Sequence, residues 1–116
     1  MCVYIKDNPK FFYDALRSIE TESKFISEII LVKNGNLNLE HEQIIKKFKL
    51  KLKIKEISLK QNIGLAQALN IGIRKVKSEW VARFDSDDIC DKNRFKIANK
   101  IIKSHGGVID IFGTYM

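Results

Sequence analysis

The chain has 116 residues, 45% of them hydrophobic and 30% charged, and a formal net charge of +7. That is one domain, with enough apolar side chains for a single core and no apolar run near the roughly 20 residues of a membrane span. The positive balance favours anionic partners, whether phosphates, nucleic acid or an anionic membrane face, without choosing among them. The first seven residues lack a basic region followed by a long apolar stretch, so no signal peptide is expected. Cys2 and Cys90 lie far apart and do not make a metal-spaced pair, which suits reduced, structural thiols in a cytoplasmic protein.

Residues 1–5 are apolar and β-prone from the first position, like a strand already under way. Asn8 can cap a helix and Pro9 suits its first turn, and Phe11, Phe12, Ala15, Leu16 and Ile19 then recur at helical spacing to about Glu20. Residues 26–32 predict a second buried strand, ended by the turn chemistry of Lys33-Asn34-Gly35-Asn36. A second helix is expected from Leu39 to about Phe48, with Ile44, Ile45 and Phe48 on one face. Residues 50–55 alternate Leu-Lys-Leu-Lys-Ile-Lys, which predicts a strand with one greasy face and one lysine face, the usual protection of a sheet edge. Nucleic-acid or lipid binding by those lysines is the rival reading, weakened by the absence of interleaved aromatics and arginines. Residues 58–64 form a loop before a third helix carrying Leu65, Ala68, Leu69, Gly72, Ile73 and Val76. Gly72 inside that helix costs about 1 kcal/mol relative to Ala, so it implies close packing.

A fourth strand is expected over residues 80–84, ending at three carboxylates, Asp85, Asp87 and Asp88. In an extended segment Asp85 and Asp87 point to the same face. Two such charges about 5 Å apart repel by roughly 3 kcal/mol at an effective dielectric near 20. Solvent, the neighbouring Arg83 or a divalent cation can relieve that repulsion, and oxygen-only ligands suit Mg²⁺ or Mn²⁺. A solvated aspartate turn that caps the next helix is the plainer alternative. Asp91 can cap a fourth helix with Phe95, Ala98, Ile101 and Ile102 inward, Gly106-Gly107 ends it, and residues 108–112 read as a last strand. Strand and helix thus alternate, which predicts an α/β fold with a mostly parallel sheet. In such sheets ligands bind beyond the strands' carboxyl ends. The loops at 5–8, 33–37, 58–64 and 85–88 should therefore line one cleft. No dinucleotide fingerprint, phosphate-cradling P-loop or nucleophile elbow is present. His41 and His105, at a helix start and a helix end, read as surface or capping residues.

Taken together the motifs carry a resemblance. Val3-Tyr4 followed by Asn8-Pro9 and Ala15-Leu16-Arg17-Ser18-Ile19 resembles the opening of family-2 glycosyltransferases. Glu28-Ile29-Ile30-Leu31-Val32-Lys33-Asn34-Gly35 is similar to their second strand, and Asn62-Ile63-Gly64-Leu65-Ala66 with Ala68-Leu69-Asn70 to their N-x-G-L-A-x-A-x-N segment. Asp85-Ser86-Asp87-Asp88 resembles the D-x-D-D motif, Arg94-Phe95 the R-F that follows, and Asp110-Ile111-Phe112-Gly113 a D-x-x-G. The order holds over almost the whole chain.

The resemblance implies a Rossmann-like GT-A fold, specifically the nucleotide-sugar-binding half of an inverting enzyme over residues 1–116, with an incomplete first strand. It implies Asp85 and Asp87 as ligands of Mn²⁺ or Mg²⁺ on the donor diphosphate. Val3, Tyr4, Asn34, Asn62, Gly64, Asn70, Asp85 and Ser86 would be donor-binding. Asn34 falls where the family most often has Asp, so the base contact there loses a charge. Arg83 reads as a charge partner without a catalytic role. The implied donor is a nucleoside-diphosphate sugar, a UDP-sugar favoured, and the acceptor a saccharide or lipid-linked sugar of surface polysaccharide or lipo-oligosaccharide. The implied location is cytoplasmic, at an anionic membrane face where each lysine adds about 1 kcal/mol; no nucleic-acid partner is expected. In the family the catalytic base and the acceptor site come from a later half, and no residue here matches that base. A non-catalytic nucleotide-sugar or metal-binding module is the alternative. A phosphatase of the haloacid dehalogenase type fits poorly, since Ile89 breaks its D-x-D-x-[TV] motif, which also belongs after a first strand.

Overall fold

The computed structural model describes residues 1–105 and 107–113. Three strands, β1 (Cys2–Val3), β2 (Ile29–Lys33) and β3 (Ile54–Ser58), form a parallel sheet in the order β1-β2-β3. Four helices alternate with them or follow: α1 (Pro9–Glu20), α2 (Leu39–Lys49), α3 (Leu65–Ile73) and α4 (Arg94–His105). The α/β reading from the alternating pattern is borne out.

Local chemistry explains the helix starts. Asn8 Oδ1 accepts from the Lys10 N–H at 2.9 Å and Pro9 needs no donor in the first turn. Asn38 Oδ1 does the same for α2, accepting from the His41 N–H at 3.0 Å. α3 enters through Gly64, whose φ of +87° suits a residue without a Cβ.

The two-residue side-chain period of the strands sorts the core onto both faces of the sheet. Val3, Ile29 and Leu31 pack with Phe12, Ala15, Leu16 and Ile19 of α1 and with Ile44, Ile45 and Phe48 of α2. On the opposite face Cys2 and Val32 meet Ala68 of α3. The expected close approach at Gly72 is present: a Cβ there would lie 3.0 Å from Val32 Cγ2, so α3 rides directly on β2. Beside β3, Lys33 Nζ meets Glu42 at 2.9 Å and Glu56 at 3.1 Å, while Lys49 Nζ meets Glu56 at 2.7 Å. The hydrogen bond from Lys49, with a second from Lys33, holds the Glu56 carboxyl below its ordinary range against the effect of burial.

Several expected elements are displaced. β1 spans two residues rather than five, and Ile5 is already exposed. β2 starts at Ile29, because Ser23–Phe25 forms a 3₁₀ turn that the Ile26 N–H closes onto the Ser23 carbonyl. The alternation at 50–55 is only partly strand. α2 runs on to Lys49, Leu50 is its 87% exposed C-cap, and Leu52 tucks its N–H onto the Phe48 carbonyl before β3 begins. The helix end consumes the first half of that pattern. β3 is nonetheless an edge strand among the described residues, as expected.

The expected strands at 80–84 and 108–112 are not strands among the described residues. Residues 80–84 face Met1, Ile29 and Ile30 across an open cleft of about 620 Å³. A ladder needs a neighbour about 4.8 Å away, and β1 offers two paired residues where a five-residue strand needs more. Residues 108–112 run without regular structure, with Phe112 packed against Trp80 at a ring separation of 5.7 Å. Phe95, Ala98, Ile101 and Ile102 line the same cleft half-buried, so the inward face read for α4 is present, though α4 has no fully buried residue. Asp91 gives α4 only its carbonyl, 3.2 Å from the Arg94 N–H. The side-chain cap is Glu22, whose Oε2 accepts from the Phe95 and Lys96 N–H groups at 3.1 and 3.2 Å. A buried carboxylate on two amides at a helix N-terminus is favoured by both hydrogen bonding and the helix dipole. Of the expected Gly106-Gly107 stop, Gly107 has φ +87° and Gly106 lies outside the described residues.

Candidate functional site

Parallel strands send their carboxyl ends to one side, and there the loops after β1, β2 and β3 emerge together. Two polar clusters organise them.

The first joins the β1–α1 loop to the aspartate turn. The Asp7 N–H donates to the Tyr4 carbonyl at 3.0 Å, and the Tyr4 N–H donates to Asp7 Oδ2 at 3.1 Å. The same Oδ2 accepts from Ser86 Oγ at 2.8 Å, across 79 residues of sequence. Behind this loop His41 is completely buried. Its Nε2 lies 3.1 Å from the Asp7 carbonyl oxygen, its Nδ1 lies 2.7 Å from Asn38 Oδ1, and its ring packs 5.9 Å from Phe12. Where its place at a helix start suggests a surface or capping residue, His41 is a buried bracket between the Asn38 cap and the β1–α1 loop. His105 is exposed at the end of α4, as expected.

The second cluster joins the loops after β2 and β3. Asn34, 5% exposed, donates from Nδ2 to Asn62 Oδ1 at 3.1 Å and accepts at Oδ1 from the Ile63 N–H at 3.0 Å. Asn62 Oδ1 also accepts from the Gly64 N–H at 2.9 Å. Gly35 permits this approach: its φ is +92°, and a Cβ there would stand 3.0 Å from the Asn62 backbone nitrogen. The Asn34 N–H donates to the Val3 carbonyl at 2.8 Å, tying this cluster to β1 and so to the first.

Of the residues read as donor-binding or metal-binding, Tyr4 and Ser86 meet at Asp7, and Asn34, Asn62 and Gly64 meet one another. Val3 is wholly buried, so its side chain packs beneath the site while its carbonyl ties the loops. Asn70 is exposed on α3 and joins neither cluster among the described hydrogen bonds. Arg83 is the charge partner expected: its Nη2 reaches both oxygens of Asp85, at 2.9 and 2.7 Å. Asp87 and Asp88 point to solvent. Burial pushes the Cys2 thiol above its ordinary value, and the nearby Asp7 and Asp85 carboxylates push the same way against the Met1 ammonium.

Among the described residues no group of three or more His, Cys, Asp or Glu side chains could hold a metal by itself. Asp85 and Asp87 offer hard carboxylate oxygens of the type that Mg²⁺ and Mn²⁺ take, with both Asp85 oxygens meeting Arg83. Among the described residues no helix is long and apolar enough to cross a membrane.

Sequence reasoning missed Asp7 and Glu22 and undervalued His41. Asp7 was within reach of the strand-end rule, since it sits in one of the four loops expected to line the cleft. Glu22 gave no signal, because its partners are 73 and 74 positions away.

The chain resembles known proteins over nearly its full length. It is 37% identical over 119 residues to an uncharacterized glycosyltransferase of Haemophilus influenzae, covering 97% of this chain and 45% of that protein. It is 36% identical over 108 residues to the Escherichia coli UDP-Gal:alpha-D-GlcNAc-diphosphoundecaprenol beta-1,3-galactosyltransferase, covering 93% of this chain and 39% of that one. The chain therefore spans less than half the length of these relatives. A crystal structure of S. aureus TarS superimposes with a TM-score of 0.76 at 26% identity, over 90% of this chain and 19% of TarS. The fold is the nucleotide-binding α/β arrangement of GT-A enzymes. The family model for Glycosyl transferase family 2 matches residues 1–115, and the chain belongs to that family.

Proposed function

We propose that this chain is the donor-binding portion of an inverting glycosyltransferase that takes a sugar from a UDP-sugar to a saccharide or lipid-linked acceptor. The carrying observation is the convergence of the loops after all three strands, with the aspartate turn clasped to them through Ser86 and Asp7. A relative of 36% identity is named for transfer from UDP-Gal to a GlcNAc-diphosphoundecaprenol, which supports both the donor class and a lipid-linked acceptor.

In this reading Asp85 and Asp87 hold Mn²⁺ or Mg²⁺, which when bound stabilises the negative charge of the departing nucleoside diphosphate. Arg83 balances the Asp85 carboxylate before a cation arrives. Asn34 and Asn62 fix the loop against which base and ribose rest, and Tyr4 borders the same end of the sheet. The acceptor site and the catalytic base lie outside this set of residues. The net charge of +7 suits work at an anionic membrane surface, and co-sedimentation with anionic vesicles that vanishes at high salt is the expected result. No sedimentation at low salt would remove the membrane contact.

Calorimetric titration of UDP, with GDP as control and with and without Mn²⁺, tests the donor site. Wild type should bind UDP more tightly with Mn²⁺, and Asp85→Ala and Asp87→Ala should each weaken that binding about tenfold, or about 1.4 kcal/mol. A folded wild type with no affinity for UDP in the presence of Mn²⁺ would sink the reading.

A further inference from the structure

We infer that Asp7 is a positioning residue: acting through Ser86, it sets where the turn carrying Asp85 and Asp87 stands relative to the β1–α1 loop. The functional meaning of that turn rests on the donor-site reading above; the coupling itself rests on geometry. One oxygen, Asp7 Oδ2, accepts both the Tyr4 N–H at 3.1 Å and the Ser86 hydroxyl at 2.8 Å. A carboxylate acceptor makes roughly twice as strong a bond as a neutral one, and the Tyr4 bond keeps it aimed.

The loop that carries Asp7 is itself held. His41 Nε2 lies 3.1 Å from the Asp7 carbonyl, and His41 is buried between Phe12 and the Asn38 cap, so the anchor reaches into the core of α1 and α2. At the other end of the link, Ser86 is 8% exposed while Asp87 is exposed and Asp85 half-exposed. An inward-anchored middle residue leaves its two flanking carboxylates facing out. Residues 85–88 lie in no strand or helix; the Cys90 N–H anchors the chain just after them to Ser18 Oγ at 2.8 Å, and the Ser86 bond ties the turn itself to the β1–α1 loop.

Asp7→Ala and Ser86→Ala remove the same bond from opposite ends, and Ser86→Ala does so without touching the β1–α1 loop. Hydrogen exchange of the unliganded protein is the first readout. Each variant should speed exchange in a peptide covering 83–90 several-fold and leave β2 and β3 unchanged. The second readout is the gain in UDP affinity on adding Mn²⁺, expected to fall about tenfold in each single variant and no further in the double variant. A role limited to overall stability would lower the melting temperature and leave that metal-dependent gain intact. Unchanged exchange at 83–90 in both folded variants, or losses that simply add in the double variant, would overturn the inference. Should wild type bind no UDP, the donor-site reading fails, while the exchange result still decides whether Asp7 positions the turn.

Discussion

Phe12→Ala is expected to lower the free energy of unfolding by about 3–5 kcal/mol, a large share of the roughly 5–15 kcal/mol that holds a domain together. Phe12 is completely buried among the largest side chains of the core. It sits where α1 lies on the sheet and its ring abuts His41, 5.9 Å away and tilted by 41°. Truncation removes the transfer energy of the ring and leaves a cavity that α1, pinned at Asn8 and Ser18, cannot close. The cavity opens beside His41, so the bracket on the Asp7 carbonyl should loosen as well. Urea denaturation followed by circular dichroism gives the number. A lower midpoint at unchanged slope is expected, and a loss under about 1 kcal/mol would contradict a packed core at this position.

Asn34→Asp should cost about 3 kcal/mol near neutral pH, although the shape barely changes. Asn34 uses both ends of its amide: the NH₂ donates to Asn62 Oδ1 and the oxygen accepts from the Ile63 N–H. A carboxylate would set an acceptor against Asn62 Oδ1. Asn62 cannot rotate its amide in reply, because that oxygen also accepts from the Gly64 N–H. The result is a nearly buried charge facing a like dipole, the costly case for polar burial. The pH dependence gives the diagnostic sign. Protonation restores a donor, so the folded state raises the pKa of the introduced carboxyl above the usual value near 3.9. The deficit is then absent below about pH 4 and grows as pH rises toward the raised value. Thermal melts of wild type and variant between pH 4 and 7 should diverge with rising pH. Parallel curves would mean that Asn34 does not donate to Asn62.

These two positions also mark what could be read from the sequence. Phe12 was legible because helical periodicity places it with Ala15, Leu16 and Ile19, and a helix buries such a stripe wherever it packs. The parallel α/β arrangement followed from alternation, and the cleft loops followed from the strand-end rule. Gly72 was legible from the cost of a glycine inside a helix, and Val32 is the neighbour that explains it. Asn34 and Asn62 were legible as positions in a family pattern, whereas the bond between them was not, since they stand 28 residues apart. The strand expected at 80–84 failed for a related reason. Apolar, β-prone residues favour an extended chain, but a strand also needs a partner, and the partner's length is not a local property. The lysine alternation at 50–55 became strand only from Ile54, because the end of α2 at Leu50 takes its first half.

Three long-range contacts share one loop. Ser86 reaches Asp7 over 79 residues, the Cys90 N–H reaches Ser18 Oγ over 72, and the Phe95 N–H reaches Glu22 over 73. In kinetic terms they are one closure event. Bringing residues 86–95 back to residues 7–22 costs about 0.8 kcal/mol more loop entropy than pairing β1 with β2, and once one contact forms the other two close only short further loops. The sheet and its first two helices can therefore assemble from nearer contacts, while the aspartate turn orders last and as a unit. A ribosome has to release the chain through about Phe95 before Asp85 and Asp87 find their place.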